Sequence, residues 1–299
     1  IAYDGAFWGT RSPLETDAQI TVPTFIVGGL HDIFQRGEPN LYEQLKNHVT
    51  TKMLLGPWTH VQAALGQGLP ADGVPVLDHI ALQWFDQYVR GKSVGAGSLP
   101  NVTQYLYGKD KFVTMQDWPN PQASAQDLYL HADKSLSATA PAAGEAPIKM
   151  LQEPLEGICS ESTAQWTAGL LGLVALPCFT DDNLAESLEV KYDTAPMTED
   201  YYINGPLMAD LWISTTAADA GVVVRVDDVD ASGKAFALTN GIQTASMRAV
   251  DTSRSRTLDG QMIQPWHSFT KDTVQAVGSG NLVNLQVEIF PTSAVIQPG

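Results

Sequence analysis

Cysteine is nearly missing from this chain: there are 2 in 299 residues, Cys159 and Cys178, both in one segment. No Cys-x-x-Cys pair and no Cys/His cluster surrounds them, which argues against a metal or redox motif. A disulfide between Cys159 and Cys178 would stabilise that loop by roughly 3 kcal/mol on a chain-entropy basis and would imply an oxidising compartment. Two buried free thiols are the other arrangement. Positive charge is scarce as well. Lys and Arg number 17 against 33 Asp and Glu, a formal net charge of −16. Phosphate backbones need a basic surface, so nucleic acid is argued against as a partner, and an anionic membrane is disfavoured. Long apolar runs are absent too. The longest, Ala168 to Pro177, falls short of a membrane span. The opening residues Ile1-Ala2-Tyr3-Asp4 carry neither the basic segment that begins a signal peptide nor a Met. The acidic, lysine-poor composition is compatible with a secreted bacterial enzyme.

What is present is an ordinary globular composition, 44% apolar, with length enough for two domains. Residues 1–92 alternate strand and helix. Val22 to Asp32 reads as a buried strand ending at a carboxylate, and Lys52 to His60 as a second ending at an imidazole. Between them Gly37 to Lys46 is helix-like, with Leu41 and Leu45 on one face. Leu77 to Arg90 is strongly amphipathic: Leu77, Ile80, Ala81, Trp84, Phe85 and Tyr88 recur at helical spacing, and Gly91 stops the helix. Core packing explains that stripe better than an aromatic ligand box. The order is that of a parallel sheet with helical cover. Val102 to Tyr107 alternates as a further strand. Residues 119–150 are rich in Pro, Ala and Ser and read as a linker, with one short strand at Asp127 to His131. Residues 150–195 show little periodicity. From Tyr201 the pattern is all-β, with strands at Leu207 to Thr215, Gly221 to Val229, Ala235 to Leu238 and Leu282 to Phe290. In the last, Val283, Leu285, Val287 and Ile289 share one face, and Asn284, Gln286 and Glu288 the other. The fold class is therefore α/β followed by all-β, divided at residues 1–118 and 119–299.

An Asp and a His at the ends of consecutive strands form the last two members of a Ser…Asp…His series in α/β-hydrolase order. Such chemistry needs an imidazole to accept the serine proton and a carboxylate to hold the ring in its working tautomer. A capping Asp and a surface His are the alternative for Asp32 and His60. His31 should point away from the site if Asp32 points into it. His48, His79, His131 and His267 have no motif around them and read as structural. Ser93 matches Gly-x-Ser-x-Gly in Gly91 to Gly95, but a helix precedes it and a Gly/Ser-rich run follows. A nucleophile elbow requires strand before and helix after, so Ser93 reads as a loop residue. Asp227 to Gly233 is acidic yet lacks calcium-loop spacing, and reads as a hairpin end.

Four segments together resemble the cocaine-esterase-like and X-prolyl dipeptidyl-peptidase-like serine hydrolases. They are Phe7 to Pro13, with Trp8 and Arg11-Ser12-Pro13; Ile20 to Phe34, with Gly28-Gly29 and Asp32-Ile33-Phe34; Leu55-Gly56-Pro57-Trp58-Thr59-His60; and, toward the end, Ile203 to Pro206, Val222 to Asp230 and Leu238 to Gly241. The resemblance covers most of the chain and is weak between residues 120 and 190. It implies that Asp32 is the triad acid and His60 the base. It implies that Phe34 lines the substrate pocket, and that Trp58 belongs to the substrate site and supports the His60 loop. Ile33 stands where a Gly is usual and His31 where an aromatic is common. The resemblance implies the C-terminal part of an α/β-hydrolase domain followed by a jelly-roll-like β-sandwich, acting on a small-molecule ester or amide without metal or organic cofactor. It also implies that the nucleophile, the oxyanion donors and a helical cap precede Ile1, and that the β-domain runs beyond Gly299. A parallel-sheet remnant would expose an unpaired edge, so order is expected only with those parts present. Two rival readings are a non-catalytic β-sandwich binding module, and a processed subunit whose companion chain supplies the serine.

Overall fold

The computed structural model describes residues 3–152, 161–171 and 181–299. Cys159 and Cys178, with their expected disulfide, lie outside the described residues. Two short helices, α1 (Ala6–Gly9) and α2 (Pro13–Thr16), precede the first sheet. That sheet contains β1 (Thr24–Gly29), β2 (Thr51–Gly56), β3 (Val102–Leu106) and β4 (Lys111–Met115), in that order. The first three strands run parallel and β4 pairs antiparallel with β3. Helix α3 (Gly37–Leu45) connects β1 to β2; α4 (His60–Leu65) and α5 (Leu77–Tyr88) lie between β2 and β3.

Both faces of β1 and β2 are apolar because both are covered by helices. Alternate side chains separate cleanly. Ile26, Met53 and Leu55 pack with Tyr42 of α3, while Phe25, Val27 and Leu54 pack with Ala63 of α4 and Ile80 of α5. The α5 stripe is narrower than expected. Ile80 and Trp84 are buried, but Phe85 is 58% exposed. Each helical residue turns the chain by about 100°, so once Trp84 meets Phe25 edge-on, Phe85 is carried off the sheet.

The remaining chain is mostly β. A small hairpin, β5 (Tyr129–Leu130) with β6 (Leu136–Ser137), is followed by two short helices, α6 (Glu161–Trp166) and α7 (Asn183–Glu186). Then come β7 (Tyr201–Ile213), β8 (Gly221–Val229), β9 (Ala235–Thr244), β10 (Arg256–Leu258), β11 (Gln261–Gln264) and β12 (Val283–Ile296). Three antiparallel pairs form: β7 with β12, β8 with β9, and β10 with β11. Leu285 and Val287 of β12, Leu211 of β7 and Val222 and Val224 of β8 close one apolar cluster between the first two pairs. The acidic run behaves as a hairpin end. Asp230 Oδ1 accepts from Ser232 N (2.8 Å), Ser232 Oγ (2.6 Å) and Lys234 N (3.0 Å), ordering the turn between β8 and β9.

The strand β12 departs from simple alternation. Glu288, expected on the solvent face, is buried, because that face packs on the α/β part rather than on water. Its carboxylate accepts two bonds from Arg36 Nε (2.8 and 2.7 Å) and one from Gln264 Nε2 (2.7 Å). Beyond a register shift between Ile289 and Thr292, every residue from Pro291 to Val295 is buried. Pro291 stands in that irregularity, where a missing N–H breaks no ladder bond. The end of β12 docks on the loop after β3: Tyr107 N donates to Ser293 O (3.1 Å) and Val295 N to Tyr107 O (2.9 Å). Among the described residues no helix is long and apolar enough to cross a membrane.

Candidate active site

Strands β1 and β2 are neighbours with Gly29 opposite Gly56, so their carboxyl ends open at the same edge of the sheet. The strands stop sooner than the apolar runs suggested, and each is followed by a turn. Asp32 lies three residues past β1, and His60 begins α4 four residues past β2. The two turns are bonded to each other: Leu30 N donates to Gly56 O (2.9 Å) and His31 N to Trp58 O (3.1 Å). The approach demands glycine at position 29, where a Cβ would stand 2.0 Å from the Trp58 carbonyl oxygen. Trp58 itself is 1% exposed, and its indole N–H donates to Gln67 O (2.7 Å). It props the turn from beneath, a position from which it supports the His60 loop. Thr59 caps α4, its N–H donating to Gln62 Oε1 (3.0 Å).

These turns bring Asp32 and His60 together. His60 Nδ1 lies 3.1 Å from Asp32 Oδ1 and 3.2 Å from Oδ2. A carboxylate only accepts, so the shared proton is on Nδ1; the tautomer this selects for the neutral ring carries its lone pair on Nε2. The Asp32 side chain is 3% exposed and that of His60 43%. One end of the ring is therefore anchored in the protein and the other faces outward. Asp32 Oδ1 also accepts the Phe34 N–H (2.9 Å), which fixes the carboxylate plane. Phe34 projects into the open and meets the imidazole edge-on, ring centroids 5.3 Å apart. Among the described residues no side chain is hydrogen-bonded to His60 Nε2. Glu38 packs its carboxyl against Gly28 of β1. Burial pushes its pKa up to about 8, and the nearby Asp32 charge adds to the effect. At neutral pH the protonated form of Glu38 is therefore favoured.

A layer of amides lies behind Asp32. Gln165 of α6 donates from Nε2 to the Asp32 carbonyl (2.9 Å) and to Gln35 Oε1 (2.8 Å), and accepts at Oε1 from Asn240 Nδ2 of β9 (2.7 Å). Gln35 donates onward to Pro291 O (2.8 Å). All three amide residues are 2% exposed. Gln165 gave no signal in sequence, since its segment has no periodicity; Asn240 falls within a resembling segment but carries no motif of its own.

The other residues singled out in sequence lie apart from this pair. His31 turns the opposite way from Asp32 and stacks on Tyr107, and burial lowers its pKa. His267 is buried against the carbonyls of Ala249 and Gln286, and His131 pairs with Glu145. His48, His79 and Ser93 are exposed, Ser93 on the loop after α5.

Comparison with known proteins gives the chain its relatives. Residues 2–62 match the model described as X-Pro dipeptidyl-peptidase (S15 family), and residues 95–299 that of the X-Pro dipeptidyl-peptidase C-terminal non-catalytic domain. A Mycobacterium bovis protein named as a candidate serine esterase is 26% identical over 83% of this chain and 38% of its own length. Cocaine esterase of Rhodococcus sp. is 22% identical over 98% of this chain and 49% of its own. Among solved structures, an alpha-amino acid ester hydrolase matches with a TM-score of 0.75 at 22% identity, covering 99% of this chain and 50% of that one. A CocE/NonD family hydrolase from Staphylococcus aureus matches with a TM-score of 0.68 at 18% identity, covering 99% and 48%. The chain thus spans half or less of the length of these relatives.

Proposed function

This chain belongs to the X-Pro dipeptidyl-peptidase-like, or CocE/NonD, family, and from that premise we propose that it carries the acid–base half of a serine hydrolase cleaving ester or amide bonds. The observation that carries the reading is the Asp32–His60 pair at the ends of adjacent parallel strands, buried at the carboxylate and open at Nε2. On this reading the nucleophilic serine is supplied by polypeptide outside these 299 residues. His60 Nε2 takes the serine proton as the hydroxyl attacks the carbonyl carbon. The same proton passes to the leaving alcohol or amine as the tetrahedral intermediate collapses to an acyl-enzyme. Water then repeats the sequence and releases the acid. Asp32 holds the Nδ1–H tautomer and stabilises the imidazolium in both halves. Phe34 supplies an apolar wall beside the reacting group.

Residues 1–118 form the hydrolase part in this reading, and residues 119–299 a linker and jelly-roll-like β-sandwich. Two facts support that division of labour. Asp32 and His60 both fall in the stretch that matches the peptidase model, whereas the stretch from residue 95 matches a model described as non-catalytic. The decisive measurement is ester hydrolysis by the natural full-length protein and its His60→Ala variant. Loss of kcat by about a thousandfold or more is expected, since the imidazole acts in every proton transfer. Wild-type turnover by the variant overturns the triad assignment.

A further inference from the structure

We infer that Gln165 is a positioning residue of the hydrolytic site: its amide ties the β-structure to the main chain of the acid turn and so sets the Asp32–His60 alignment. This rests on the triad reading above. The argument begins with what holds Asp32. Its carboxylate has two partners, the Phe34 N–H within the same turn and the His60 ring on the neighbouring one. The turn's position is fixed by bonds to its backbone. One comes from outside the α/β part, the Gln165 Nε2 bond to the Asp32 carbonyl.

Gln165 is well suited to that task because its amide is fully engaged. Both its donor bonds and its acceptor bond are made within 2.9 Å, to Asp32, Gln35 and Asn240. A buried amide with this many partners has one orientation only. Asn240 is oriented in turn, because its Oδ1 accepts the Trp166 indole N–H (3.3 Å) and leaves Nδ2 for Gln165. The same segment also touches the base. Gly169, at φ +86°, packs so closely on Thr59 that a Cβ there would meet Thr59 Oγ1 at 2.4 Å. Thr59 is the cap of the helix that His60 begins. Residues 161–171 therefore contact both arms of the pair, one through a hydrogen bond and one through close packing. An error of a few tenths of an ångström in the Asp32 turn would lengthen a bond whose value depends on its geometry.

The test uses the natural full-length protein with a chromogenic ester. Gln165→Ala is expected to lower kcat about tenfold with KM changed less than twofold. The acidic limb of the pH–rate profile should move to lower pH, because a less well-placed carboxylate stabilises the imidazolium less. Asn240→Asp keeps the acceptor for Trp166 and removes the donor to Gln165. It is expected to lower kcat in the same direction by a smaller factor, and it serves where Gln165→Ala does not fold. A merely structural role predicts a lower Tm with wild-type kcat and an unmoved acidic limb in the folded variants, and that result overturns the inference. His60→Ala in the same assay separates the two claims. If it is inactive while the amide variants behave as wild type, the positioning role alone fails. If it is as active as wild type, the triad reading fails with it.

Discussion

Asp32 and His60 are hydrogen-bonded to each other in contrasting surroundings. A buried carboxylate beside an open imidazole fixes a proton on Nδ1 and turns Nε2 outward. Glu38 packs against β1, and burial favours its protonated form. Its folded pKa, about 8, lies above the ordinary carboxylate value, so between about pH 4.5 and 8 the folded state holds a proton that the unfolded state has lost. Stability from this group is complete below the unfolded pKa and is lost as pH rises through that window, by at most about 1.4 kcal/mol per pH unit. Glu38→Gln keeps the shape and removes the titration. Urea unfolding of the natural protein should show the variant matching wild type near pH 4.5 and exceeding it at pH 8. Equal stabilities at both pH values would contradict the assignment.

At the scale of elements, the site depends on how two strand ends meet. Parallel pairing sets Gly29 beside Gly56, and the two following turns share backbone hydrogen bonds. Glycine at position 29 allows that contact. Gly29→Ala would drive a methyl group into the Trp58 carbonyl, and relief requires the turn before His60 to move. The expected cost is about 1–3 kcal/mol, the range found for overpacked interiors, with a disproportionate fall in ester hydrolysis. Denaturant midpoint and kcat measured on the same samples check this. An unchanged kcat in the destabilised variant would show that the turn tolerates the shift.

At the scale of the whole molecule, several polar groups among the described residues join the α/β part to the β-structure. Arg36 reaches Glu288 of β12 while its guanidinium lies 4.6 Å from the Trp266 ring. Gln35 bonds Pro291, Arg254 bonds Glu15 (2.6 Å), and Tyr107 exchanges backbone bonds with β12. The Arg36–Glu288 pair is largely enclosed, with side chains 27% and 10% exposed. Removing one partner leaves a buried charge that is poorly hydrated. A double-mutant cycle with Arg36→Ala and Glu288→Ala in the natural protein should return a coupling of about 1–3 kcal/mol. Additive effects would mean that the junction is held by its other contacts.

Local pattern was enough to place β1, β2 and their helices, and the hairpin at Asp230, because strand alternation and turn chemistry are written in neighbouring residues. It also placed Asp32 and His60, each marked by an apolar run before it. Pattern could not show that Trp58 would be buried, that Phe85 would leave the core, or that Glu288 would face protein. Those outcomes depend on what packs against each element, and burial is a property of the neighbour as much as of the residue. Gln165 and Asn240 lie furthest from sequence reading. Amides carry no periodicity, and residues 35, 165 and 240 meet only after two separate parts of the chain have docked. The Asp32–His60 pair is thus a local feature of two strand ends, whereas the amides bonded to the Asp32 turn are brought there by long-range packing.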